Sequence, residues 1–131
     1  MHKRHLLALS IPFAAFALHL TASPANAAGR TVEVLMSDKP AKYIPEKLKI
    51  PVGTTVEWKN NAKTLHDVTT DASSAQKKGD AVSPPGVKAF DSGFMQPDTS
   101  FQYTFTVPGH YVYFCIPHEK DGMVGVVDVT K

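Results

Sequence analysis

The sequence predicts an all-β fold, an antiparallel sandwich or barrel, on three observations. From residue 31 onwards, apolar residues recur at every second position in short runs, the spacing of a half-buried strand. Turn signals close those runs: Pro51-Val52-Gly53, Pro84-Pro85-Gly86, Gln96-Pro97-Asp98 and Pro108-Gly109. No stretch carries a long helical period, and no segment repeats. Six or more short strands with Pro/Gly turns in about a hundred residues read as a sandwich or barrel.

The strands follow in order. "TVEVLMS" (31–37) sets Val32, Val34 and Met36 against Thr31, Glu33 and Leu35. "EKLKI" (46–50) alternates and is closed by Pro51 and Gly53. "TTVEWKN" (54–60) puts Val56 and Trp58 on one face. "SFQYTFTV" (100–107) does the same with Phe101, Tyr103, Phe105 and Val107. "HYVYFCI" (110–116) and "MVGVVDV" (123–129) complete the set, separated by a turn containing Pro117 and Gly122. Residues 71–90, small, polar and Pro/Gly-rich, read as a long loop. Its Lys77, Lys78 and Lys88 belong to a solvated connection, with a docking patch as the alternative.

The first 27 residues have a different character. Basic "MHKRH", the apolar run "LLALSIPFAAFALHL" and small residues ending in Ala25-Asn26-Ala27 follow one another. That order predicts a secretory signal peptide over 1–27 and a single domain over 28–131. The apolar run, broken by Pro12 and His19, is too short for a comfortable membrane span, so the processed chain is expected to be periplasmic with no span. The chain has 14 Lys+Arg and 12 Asp+Glu. Two of the cations, Lys3 and Arg4, lie in the leader, so the domain itself is balanced, and charge gives no reason to expect nucleic-acid binding.

An exported chain with a single cysteine, Cys115, has no disulfide partner of its own. The thiol is an intermolecular bridge, a buried bystander or a group whose chemistry is used. Its neighbours favour the last. His118 and Met123 follow in "CIPHEKDGM", in a turn short enough to bring thiolate, imidazole and thioether around one point. That donor set suits a soft or borderline metal, copper above all. Beyond the leader the histidines are His66, His110 and His118. His110 follows Pro108-Gly109 and reads as a surface turn residue, whereas His66 lies where a sandwich brings strand ends together at one pole. Two imidazoles, a thiolate and a weak axial thioether are the ligands of a blue-copper electron-transfer centre.

These residues resemble a known family. "FCIPHEKDGMVGVVDV" is similar to the ligand loop of the cupredoxins, with the Cys-x2-His-x4-Met spacing of the plastocyanin and pseudoazurin branches. "VGTTVEWKNN…LHDV" resembles the segment that supplies their first histidine, and "FDSGFMQPDTSFQYTFTVPGHYVYFC" the sheet leading to the cysteine. The resemblance covers residues 31–131 and implies a cupredoxin-like Greek-key β-sandwich holding one copper ion on His66, Cys115, His118 and Met123. It also exposes two departures. The family usually carries Asn after the first histidine and Thr or Ser after the cysteine; here stand Asp67 and Ile116. An ionised Asp67 pointing inward would favour Cu(II) and lower the reduction potential.

A closed ligand set has no open position for substrate, and no separate Ser/His/Asp set or carboxylate pair stands out. The expected function is therefore a periplasmic electron carrier, not an enzyme. It would act as a monomer exchanging electrons with redox proteins such as a cytochrome c or a periplasmic oxidoreductase. Resemblance implies that the electron passes through His118, within an apolar patch that meets redox partners; here Glu119, Lys120 and Asp121 follow at once and give that patch a charged rim. A periplasmic copper-binding or delivery protein is the alternative; the domain's methionines, Met36, Met95 and Met123, form no Met-rich tract.

Overall fold

The structure, a computed structural model, describes residues 29–131, so the expected leader over 1–27 lies outside the described residues. Among the described residues, seven strands run in the order β1 (Thr31–Asp38), β2 (Ala41–Ile44), β3 (Lys47–Pro51), β4 (Thr55–Lys59), β5 (Ser100–Thr104), β6 (Gly109–Phe114) and β7 (Val124–Thr130). They form a four-stranded sheet, β2-β1-β4-β5, and a three-stranded sheet, β3-β7-β6. The expected sandwich is present, but it is not wholly antiparallel. β1 pairs with β4, and β3 with β7, in parallel, because each pair is joined by a crossover rather than a hairpin. No described helix is long and apolar enough to cross a membrane.

Alternation works as the sequence predicts. Val34 and Met36 of β1 and Val56 and Trp58 of β4 are buried on the same face, and the parallel register sets Val34 beside Trp58. Trp58 is the hub of the core. Its ring packs against Phe90 at 5.9 Å, Phe101 at 5.9 Å, Phe105 at 6.3 Å and, edge-on, Tyr113 at 5.3 Å. Such pairs add about 0.5–1.5 kcal/mol each beyond area burial. The strand expected over 100–107 stops at Thr104. Phe105 remains in the core, but Val107, one residue before Pro108, is 40% exposed.

The parallel pairing of β1 with β4 decides where the site is built. Their register ends at Leu35 and Lys59, and both chains continue towards the same pole. β1 runs on to Asp38, while β4 leads into the segment 60–66 that carries His66. β6 ends at Phe114 and β7 begins at Val124. Their antiparallel register pairs Phe114 with Val124, so the connection carrying Cys115, His118 and Met123 closes over one strand-pair end.

Candidate metal centre

Cys115 follows the last residue of β6, so the hydrogen-bonded ladder anchors it. The connection beyond it is a 3-10 helix over Ile116–Asp121 with Pro117 near its start. Gly122 ends it in the left-handed region (φ 81°), a conformation that glycine adopts without the strain a Cβ would bring. Three backbone bonds of 3.1 Å knit the loop: His118 N–H to Cys115 C=O, Met123 N–H to His118 C=O, and Cys115 N–H to Met123 C=O. Met123 is thereby fixed beside Cys115, and its side chain is fully buried.

His66 arrives from the other sheet. Asn60, fully buried, shapes the approach: its Nδ2 donates to the carbonyls of Thr64 and Met95, each at 2.9 Å, and its Oδ1 accepts from Ala62 N–H. His66 then bridges Met95 in antiparallel fashion, and Thr69 bridges Phe114. The second bridge brings the segment after His66 against the end of β6.

The three donors converge. Cys115 Sγ lies 3.6 Å from His66 Nδ1 and 3.4 Å from His118 Nδ1, and all three donor atoms fall within 4.8 Å of one another. Donors placed about 2 Å from a shared centre in one plane stand about 3.5 Å apart, and both sulfur–nitrogen edges have that length. Cys115 and His66 are fully buried, and His118 is half-buried. Burial pushes the Cys115 thiol up to about 12, so it is a poor thiolate until a cation shares the site. Burial likewise lowers the His66 pKa, against an opposing pull from Asp38, keeping the ring in the neutral form that a metal requires. His110 stands apart, exposed on β6 and paired with Asp128 at 2.7 Å.

The groups around the triangle differ in part from expectation. Asp67 points inward and is 1% exposed. Its N–H donates to Cys115 Sγ at 3.5 Å, and its Oδ1 accepts the Ile116 N–H at 2.7 Å. The hydroxyl missing at position 116 is thus replaced by a backbone donor, and the two loops remain tied. Burial raises the Asp67 pKa, against the Ile116 bond. Glu119 corrects the expected rim. Its side chain is turned inward, 2% exposed, and accepts the N–H groups of Gln76 and Lys77 at 2.9–3.0 Å. Lys120 and Asp121 are the exposed charges of that turn.

Asp38 and Asn60 are the site's neighbours that sequence reasoning missed. Asp38 Oδ1 lies 3.0 Å from His66 Nε2, and the same carboxylate accepts the Thr64 hydroxyl and the Lys63 N–H. The Thr64 and Lys63 donors hold it down to about 2. No local spacing marks either residue; only the parallel β1–β4 pairing brings Asp38 to the pole.

Comparison with known proteins agrees with this geometry. Residues 30–130 match the family model described as copper binding proteins, plastocyanin/azurin family. The chloroplastic plastocyanin of Physcomitrium patens is 37% identical over 115 residues, covering 85% of this chain; the chain spans 62% of that protein's length. The plastocyanin of Prochlorothrix hollandica is 36% identical over 114 residues, covering 86% of this chain and 81% of that protein. The crystal structure of native pseudoazurin from Hyphomicrobium denitrificans superposes with a TM-score of 0.59 at 25% identity, over 77% of this chain and 76% of that one. The chain belongs to the plastocyanin/azurin family of copper binding proteins.

Proposed function

We propose that His66, Cys115, His118 and Met123 hold one copper ion, and that the domain over 28–131, exported by a leader over 1–27, carries electrons in the periplasm. The observation that carries this reading is the buried triangle of one thiol and two imidazole nitrogens, with Met123 fixed beside it. Copper held on these residues would supply a reversible one-electron couple, tuned by the Met123 thioether and by hydrogen bonding at the Cys115 sulfur. The protein is a blue-copper electron carrier rather than an enzyme.

The chain's own residues give the site its rigidity and its exit. Cys115 and Met123 sit at strand ends, and Asp67 ties the segment after His66 to Ile116, so little can move between oxidation states. His118 is the ligand with an exposed edge. It opens on a shallow groove lined by Asp38, Lys39, Pro40, Ala41 and Asp121. Electrons enter and leave there, exchanged with redox proteins of mixed surface charge, such as a cytochrome c or a periplasmic oxidoreductase. Because three of the donors are inaccessible, rapid handover of the metal is disfavoured, which argues against copper delivery.

Copper-loaded ligand variants test the assignment. Cys115→Ser should lose the intense visible colour and the reversible voltammetric wave. Met123→Leu should keep the colour and raise the potential. A Cys115→Ser protein with unchanged colour and wave would overturn the ligand set.

A further inference from the structure

The carboxylate of Asp38 receives three donors from a segment more than twenty residues away. Lys63 N–H reaches Oδ2 at 2.8 Å, while Thr64 Oγ1 and His66 Nε2 both reach Oδ1, the latter at 3.0 Å. An ionised carboxylate only accepts hydrogen bonds, so the facing imidazole nitrogen must carry the proton. A neutral imidazole has one N–H. With it on Nε2, the lone pair is on Nδ1, the nitrogen 3.6 Å from Cys115 Sγ. The tautomer and the ring's orientation are therefore set from outside the triangle. The bonds from Lys63 and Thr64 keep the carboxylate from swinging away.

We infer that Asp38 is a positioning residue for the metal centre: it locks His66 with Nδ1 towards the site and strengthens that nitrogen as a donor to the oxidised metal, lowering the reduction potential. This rests on His66 being a ligand, as proposed above. A carboxylate on the outer N–H withdraws the proton partway and leaves more electron density on the ring, which stabilises Cu(II) over Cu(I). The Asp38 side chain is 22% exposed, so solvent weakens its charge effect but leaves the hydrogen bond in place.

The test compares reduction potentials of copper-loaded wild type, Asp38→Asn, Asp121→Asn and Thr64→Val. Asp121 lines the same groove and controls for loss of a charge without loss of the imidazole contact. Thr64→Val controls for loosening of the loop. The inference expects Asp38→Asn to raise the potential more than either control. It also expects nitrogen NMR of the reduced wild-type protein to show His66 protonated on Nε2, a readout that needs no variant to fold. A shift in Asp38→Asn no larger than in Asp121→Asn would overturn it, as would an equal shift in Thr64→Val or a His66 proton on Nδ1. A wild-type protein lacking the thiolate-to-copper band would instead bring down the ligand assignment itself, and the two failures are distinguished by that spectrum.

Discussion

Asp67 Oδ1 accepts the backbone N–H of Ile116 at 2.7 Å, joining the residue after His66 to the residue after Cys115. The bond couples two loops from different sheets, and it is made by a buried acid whose other oxygen has no hydrogen-bond partner among the described residues. Asp67→Asn keeps an acceptor for Ile116 and removes the acid. The copper-loaded variant should fold normally and show a higher reduction potential; an unchanged potential would mean that the acid exerts no field on the site. Asp67→Ala, which leaves the Ile116 N–H unpaired, should cost about 1–3 kcal/mol in denaturant unfolding.

Glu119 makes a second tie. Its buried carboxylate accepts from Gln76 and Lys77, holding the 71–90 loop against the turn that carries His118. Glu119→Ala would remove the acceptor of both N–H groups and should destabilise the protein by about 1 kcal/mol, read as a lower unfolding midpoint. Since the carboxylate is turned inward, Glu119→Gln should leave the ionic-strength dependence of electron exchange with a cytochrome c unchanged.

Gly125 of β7 lies directly under the Tyr113 ring, and a Cβ there would collide with Cζ and the hydroxyl. Tyr113 in turn packs on Trp58 and on Tyr43 at 4.7 Å. Gly125→Ala should therefore cost about 1–3 kcal/mol through overpacking, visible as a lowered Tm with the visible spectrum of the copper form retained.

How much of this was legible in the sequence follows from where each partner lies along the chain. Cys115, His118 and Met123 fall within one turn, and the alternating residues of β1, β4 and β5 advertise their own faces, so donors and sandwich could be read locally. β2 (Ala41–Ile44) could not: four residues flanked by Pro40 and Pro45 carry too little pattern. Nor could the parallel pairings, because nothing local distinguishes a strand's neighbours. Asp38 and the burial of Glu119 were hidden for the same reason. Their partners lie more than twenty and more than forty residues away, and a charged side chain carries no sign of being turned inward. At position 116, where the resemblance implies a hydroxyl, a backbone N–H that side-chain comparison does not see makes the bond between the two loops.

Metal binding should appear as stability. A ligand that binds the folded chain at a free concentration 100 times its Kd adds about 2.7 kcal/mol. Copper should raise the Tm, a strong chelator should reverse the gain, and Cys115→Ser should lose most of it. Equal gains in wild type and Cys115→Ser would mean that copper binds elsewhere.

The central claim, that the buried thiolate of Cys115 is a ligand to copper, is tested most directly by the visible and EPR spectra of the protein after Cu(II) addition. The site described here predicts an intense blue colour with narrow copper hyperfine splitting. A pale solution with an ordinary Cu(II) signal, from a protein with an intact β spectrum, would contradict it.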